Sequence, residues 1–239
     1  MTFDGRVLLI TGATGGLGRV VTSVGAADGA RLVLAGSNEG RLRALGAELG
    51  LPEERLATAV GDLGQADAAR AAVGLAVERF GRLDIVVHAV GGWIGGKPIV
   101  EIEPTDLERM LAQHVWSTFH VLQAAVPVMI GAGWGRFVAV SSPAGRDPTS
   151  RSAPYSAAKA GQEALVTALA REVATTGVTA NVIVVKAIDA EHERERAPSP
   201  KNAAWVTPEE ITATIRWLCT DDAGTVNGQR LVLTAGGRS

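Results

Sequence analysis

Short runs of aliphatic and β-branched residues recur along the chain: "RVLLIT" at 6–11, "RLVLAG" at 31–36, "LATAVG" at 56–61, "LDIVVHAV" at 83–90, "RFVAVSS" at 136–142, "VTANVIVV" at 178–185 and "RLVLT" at 230–234. Most are continuously apolar and do not alternate, the pattern of strands covered on both faces in a parallel sheet. Between them, longer Ala-, Glu- and Arg-rich stretches predict helices at about 17–28, 39–49, 66–80, 105–130, 155–175 and 208–220. The fourth opens with "TDLE", read as a capping box in which Thr105 and Glu108 satisfy each other's free amides. The sixth opens with "TPEE", a cap followed by Pro at the first helical position. Strand and helix alternate six times, which predicts an α/β fold: a doubly wound, seven-stranded parallel sheet with helices on both faces. No linker and no repeat divides residues 1–239, so a single domain is expected.

Composition narrows the function classes. A formal charge of −2 gives no electrostatic case for nucleic acid or an anionic membrane surface. The single cysteine, Cys219, excludes an internal disulfide and fits a reducing cytoplasm. The start "MTFDGRVLLITG" places Asp4 before the apolar run without a basic leader, so it does not read as a signal peptide. No apolar run approaches the ~20 residues of a membrane span. The four histidines and one cysteine show no metal-ligand spacing, and no metal is expected. A cytoplasmic protein with no nucleic-acid or membrane partner is expected.

Two motifs carry candidate chemistry. "TGATGGLG" at 11–18 sets Gly12, Gly16 and Gly18 at the first strand-to-helix turn, where a parallel sheet places its ligand crevice. Glycine there lets a phosphate approach the backbone, and the amides of the following helix face it. A plain packing turn is the alternative; three glycines at this place favour a nucleotide. In "APYSAAKAG" at 153–161, the only tyrosine, Tyr155, stands four positions before Lys159, on one helix face. A phenol at pKa ~10 is a poor base, and lowering it to ~7 takes about 4 kcal/mol of differential stabilisation. A nearby ammonium favours the phenolate.

The Gly-x3-Gly-x-Gly turn taken with Tyr-x3-Lys resembles the short-chain dehydrogenase/reductase family, over essentially the whole chain from "TGATGGLG" to "NGQRLVLTAGG" at 227–237. "GDL" at 61–63 looks like the family's adenine-contacting pair, Asp62 and Leu63, and "VSSPAG" at 140–145 like the strand end bearing its serine. Ser142 lies thirteen positions before Tyr155, the family's usual separation. The resemblance implies a Rossmann-like fold and an NAD(P)-dependent oxidoreductase interconverting a carbonyl (ketone or aldehyde) and its alcohol. Tyr155 would be the acid/base, Ser142 would orient the substrate oxygen, and Lys159 would lower the phenol pKa and hold the nicotinamide ribose. The cofactor residues implied are Gly12, Thr14, Gly16, Leu17, Gly18, Ser37, Asn38, Arg41, Asp62, Leu63, Ala89, Gly91 and Ile188, with Tyr155 and Lys159. A homotetramer is also expected, because the helices at 105–130 and 155–175 carry apolar residues on more than one face, among them Val115, Phe119, Leu122, Leu165 and Leu169.

The chain departs from the family at several places. His114 stands where the family has its catalytic Asn, and is taken as a catalytic residue whose imidazole hydrogen-bonds water as an amide does. At its ordinary pKa of ~6.5 it would put an acidic limb in the pH–rate profile. The family's "NNAG" reads "HAVG" at 88–91, and its "PG" reads Val185-Lys186. His88 reads equally as packing or as a functional group. Trp217 reads as helix core. Trp93, Trp116 and Trp205 fall on segments that could border the substrate cleft, with packing the favoured role. Gly36 replaces the acid that selects NAD, while Ser37, Asn38 and Arg41 could bind a 2′-phosphate; NADP(H) is favoured and NAD(H) is possible. Residues 186–206 read as a mobile substrate lid. The alternative is a non-catalytic dinucleotide-binding sensor or assembly subunit of the same fold.

Overall fold

The computed structural model describes residues 3–235. Its strands are β1 Val7–Thr11, β2 Arg31–Gly36, β3 Leu56–Val60, β4 Ile85–His88, β5 Gly135–Ser141, β6 Val178–Val185 and β7 Arg230–Leu233. They form one parallel sheet in the order β3-β2-β1-β4-β5-β6-β7. The continuous apolar runs have a simple cause: successive side chains enter different cores. Val7, Leu9, Val33, Ala35, Val86, Val182 and Val184 join one core, while Leu8, Ile10, Leu32, Leu34, Ile85, Val87, Ile183 and Val185 join the other.

Helices cover both faces. On one side lie α1 Gly16–Ala27, α2 Glu39–Leu49 and α8 Pro208–Leu218, contributing Leu17, Val21, Leu42, Leu45, Ile211, Ile215 and Leu218. On the other lie α3 Ala66–Phe80, α5 Ser117–Gly131 and α6 Ala153–Glu172, contributing Val73, Phe80, Val121, Met129 and Val166. The order turns back between β1 and β4. Loops leaving those two strands diverge to opposite faces and open a crevice at their carboxyl ends. No helix of the described residues is long and apolar enough to cross a membrane.

Several local expectations need correction. The helix foreseen at 105–130 is α4 Pro104–Met110, a π-helical segment Leu111–Trp116, and α5 in succession. Thr105 is not its cap. Pro104 takes the first helical turn, so the N-cap is Glu103 and no side chain caps it. The π segment is supported by hydroxyls: Ser117 Oγ donates to the Gln113 carbonyl (2.5 Å) and Thr118 Oγ1 to the His114 carbonyl (2.6 Å). By contrast, Thr207 and Glu210 do form the foreseen capping box of α8. Trp217 is 46% exposed, because Ile211, Ile215 and Leu218 form the buried stripe of that helix. Leu122 and Leu169 lie in the core and leave no second apolar face of their own. A four-residue helix, α7 Glu193–Arg196, interrupts the expected lid, and Gly236 and Gly237 of the C-terminal motif lie outside the described residues.

Candidate active site

The glycine turn is backbone packed on backbone. Gly12 has φ +68°, and a Cβ there would come within 2.6 Å of the Ala89 carbonyl oxygen. A Cβ on Gly18 would run into the carbonyl oxygen of Gly12. Gly15, extended, is the N-cap of α1 without a side-chain bond, which leaves the helix's first amides and its positive dipole end to a ligand. A cleft of about 700 Å³ runs from this turn, lined by Gly12, Thr14, Ser37, Asp62, Leu63, Ala89 and Gly91 among the expected cofactor residues. Leu17 is different: its side chain is in the core, so only its backbone can serve. Asn38 caps α2, its side-chain oxygen accepting from the Arg41 amide at 2.9 Å. Arg41 is exposed and has no ion pair among the described residues. At Gly36 a Cβ would meet only the Leu42 side chain, at 3.7 Å, so nothing steric forces glycine where an acid would select NAD.

The candidate catalytic side chains gather between the end of β5 and α6. Ser142 follows β5, its Oγ accepts from the Ala144 amide at 3.3 Å, and its hydroxyl is near the Tyr155 phenol in the first turn of α6. Burial raises the phenol pKa, and the neighbouring Ser142 hydroxyl opposes that rise. The expected depression is therefore not delivered by the surrounding side chains. The reason is where Lys159 points: its Nζ donates to the Val140 carbonyl and to Gln162 Oε1, each at 2.9 Å, and lies 5.9 Å from the phenol ring centroid. Burial lowers Lys159 to about 7, against the pull of the Glu163 carboxylate.

His114 reaches the same place from the π segment. Its ring meets the Tyr155 ring edge-on, with centroids 5.7 Å apart, and Nε2 donates to the Gly92 carbonyl at 3.0 Å. That bond fixes the tautomer, leaving a buried Nδ1 acceptor with no partner among the described residues. Burial and then the Lys159 charge lower its pKa to about 3. His114 is thus neutral near pH 7 and cannot supply the acidic limb expected at ~6.5. His88 is buried and also lowered to about 3. Thr11 Oγ1 donates to its Nδ1 (2.9 Å), and its Nε2 donates to Ser117 Oγ (3.3 Å), because the Ser117 hydrogen is spent on the Gln113 carbonyl. It ties β1, β4 and α5 together, a packed polar role.

Of the tryptophans, Trp93 lines the cleft and is 60% exposed. Trp116 instead faces outward, stacked on His120 and edge-on to Phe119. Trp205 is half-buried and accepts from Arg194 through its carbonyl. The segment 186–206 is drawn together by bonds between Asp189 N and Val206 O (2.8 Å) and between Val206 N and Ala187 O (3.1 Å). Its buried Asp189 carboxylate accepts from the amides of Glu193 and Arg194. Ile188 is 38% exposed, and Ala190 lies so near the glycine turn that a Cβ on Gly16 would be 2.9 Å from it. Sequence reasoning passed over Gln113, whose amide donates to the Gly91 carbonyl, and Gln162 and Glu163, one helical turn beyond Lys159. The three- and four-residue spacing from Lys159 was the signal that could have found the last two.

A family model described as short chain dehydrogenase matches residues 6–201. The chain belongs to the short-chain dehydrogenase family. A 1,6-dihydroxycyclohexa-2,4-diene-1-carboxylate dehydrogenase of Pseudomonas putida is 37% identical over 85% of this chain and 75% of its own length. The (2S)-[(R)-hydroxy(phenyl)methyl]succinyl-CoA dehydrogenase subunit BbsC of Thauera aromatica is 34% identical, covering 98% of this chain and 94% of its own. A crystal structure of a short-chain dehydrogenase/reductase, named as a glucose/ribitol dehydrogenase, from Brucella melitensis superposes with TM-score 0.87 at 31% identity over 99% of this chain and 98% of that one. As a short-chain dehydrogenase the protein is an oxidoreductase, of a family that binds NAD(P)(H). The residues present fit such a dinucleotide: the Gly12 and Gly18 positions, which a Cβ would fill, and the uncapped amides of α1 together form a cradle for a pyrophosphate.

Proposed function

We propose that the protein interconverts a ketone or aldehyde and its alcohol with NADP(H), with Tyr155 as the general acid and base. The observation that carries this reading is the Tyr155 ring set against His114, which bonds Gly92 on the wall of the cleft that starts at the glycine turn. In reduction the phenol, protonated at neutral pH, donates its hydrogen to the substrate oxygen as negative charge develops there. Ser142 donates to the same oxygen and orients it. Lys159 uses two of its three hydrogens on Val140 and Gln162, which leaves one for a cofactor ribose hydroxyl. A bound nicotinamide supplies or accepts the hydride, and its oxidised form adds the positive charge that the phenolate needs in the reverse direction. His114, neutral, packs against the phenol with its buried Nδ1 unpaired among the described residues.

NADP(H) is preferred because Gly36 presents no carboxylate to a 2′-phosphate, while Arg41 stands exposed one helical turn on. The substrate is a small alcohol or carbonyl compound that meets Trp93 at the cleft. The protein assembles as a homotetramer, with Trp116 (52% exposed) and Phe119 (38% exposed) in the covered face. The deciding experiment is a panel of ketones and aldehydes followed by the absorbance of NADPH and NADH. Turnover supports the enzyme; tight dinucleotide binding without turnover of any of them supports a sensor instead. Light scattering at micromolar concentration checks the tetramer.

A further inference from the structure

Gln162 has no accessible surface, and nothing in the proton-transfer scheme uses it. It lies three residues beyond Lys159, on the same face of α6. Its Oε1 accepts from the Lys159 ammonium at 2.9 Å, and its Nε2 donates to Thr118 Oγ1 at 3.0 Å. The Thr118 hydroxyl in turn donates to the His114 carbonyl at 2.6 Å. The polarity of this line is forced. An ammonium can only donate, so the amide oxygen must face it and the amide nitrogen must face Thr118. The Thr118 hydrogen is already spent, so its oxygen is free to accept. Three bonds therefore run in one direction from α6 to the π segment. An apolar side chain could fill this space; a buried amide is tolerated only when both its ends are bonded, as here.

We propose that Gln162 is a positioning residue, which holds the Lys159 ammonium in charged form and in place beside Tyr155 and couples it to the π segment that carries His114. The inference rests on the reading of Lys159 as the group that meets the cofactor. The charged and titratable groups around Lys159 are Tyr155 and Glu163 on α6, His114 on the π segment and His88 on β4. Glu163 is itself paired with Arg230 of β7 at 2.8 Å and lies 3.9 Å from Arg146 of the turn after Ser142. Both histidines are lowered to about 3, so neither changes charge near neutrality. Lys159 does, having been lowered to about 7.

The chain has four lysines, Lys97, Lys159, Lys186 and Lys201, so carbon-13 labelling at the lysine side-chain terminus gives a spectrum simple enough to titrate in the full-length protein. The Lys159→Met variant assigns the signal. Removing the acceptor in Gln162→Leu should move the Lys159 midpoint down by about one pH unit or more, because a bond to a charged group is lost and the desolvation remains. Gln162→Glu keeps size and acceptor and adds a charge, so the midpoint should move up by a similar amount. The pH profile of kcat should move in the same two directions. Should Gln162→Leu fail a thermal-melting check of folding, Gln162→Glu decides alone. An unchanged Lys159 midpoint in the folded variants overturns the proposal and leaves Gln162 as packing. Shifted midpoints in a protein that reduces no carbonyl would uphold the positioning role and sink the proposed activity instead, so the two failures read differently.

Discussion

The two walls of the cleft are built from different material. On the β1 side a ligand meets backbone and small residues: Gly12, Gly15, the amides of α1, Gly36 and Gly61. On the β5 side stand side chains nearly out of contact with solvent: Ser142, Lys159, Gln162 and Glu163, with His88 and His114 beside them. The first wall recognises mainly by shape and by fixed backbone dipoles. The second stores its function in desolvated polar groups, whose protonation states depend on every neighbour. One wall should therefore respond to added volume and the other to pH and to the loss of single polar atoms.

Four experiments test that contrast, in order of expected effect. Tyr155→Phe should lower kcat by at least ~100-fold while dinucleotide affinity, measured by titration of NADPH, stays within a few-fold of wild type. Next comes Gly18→Ala, whose new methyl meets the Gly12 carbonyl. Urea unfolding should show a loss of about 1–3 kcal/mol from overpacking. In the same assay Gly36→Ala, with only Leu42 nearby at 3.7 Å, should stay within about 0.5 kcal/mol of wild type; equal losses would mean that close approach is not what the glycine wall requires.

The third concerns acid stability. His88 is lowered from 6.5 to about 3 in the folded protein, so between those values the unfolded chain holds the proton and the native state does not. Stability should thus fall as pH drops below 6.5. Replacing that imidazole in His88→Asn should make the loss between pH 6.5 and pH 5 smaller by about 1.5 kcal/mol, read from urea midpoints. Identical acid sensitivity in the two proteins would place the titration elsewhere. The smallest effect is on cofactor choice. Gly36→Asp should shift the ratio of kcat/KM for NADPH over NADH by about tenfold toward NADH, about 1.4 kcal/mol. A wild type that already prefers NADH would reverse the proposed preference.

The same contrast explains what could be read from the sequence. Glycines at a strand end and apolar runs buried on both faces are constraints that residue type alone announces, so the sheet, its helices and the glycine turn follow from the pattern. The serine, tyrosine and lysine are named by the family resemblance that their spacing carries. The failures are tertiary. Thr105 looked like a cap because its sequence signature is intact, yet Pro104 started the helix one residue earlier. His114 looked like a group titrating near neutrality, and burial took it to about 3. Tyr155 was expected to be lowered by a lysine one turn away, but the ammonium is turned to Val140 and Gln162. Spacing says which side chains can meet; it does not say how much water remains around them.

The π segment also bears on how this protein could change by mutation. A turn that bonds each amide five residues back holds one residue more than an α-helix needs over the same path. Loss of a single codon between Leu111 and Trp116 would let α4 and α5 join as one uninterrupted helix. The helix on either side would keep its facing, because the residue lost is the one the π turn had accommodated. Only the side chains inside the stretch would be re-phased, so that Gln113 and His114 could not both keep the carbonyls of Gly91 and Gly92. The sheet lies on the far side of these bonds and would still assemble. Activity and the ability to fold are therefore separable here by one in-frame deletion, which makes this stretch a place where descendants of the gene can lose or redirect their chemistry while keeping their architecture.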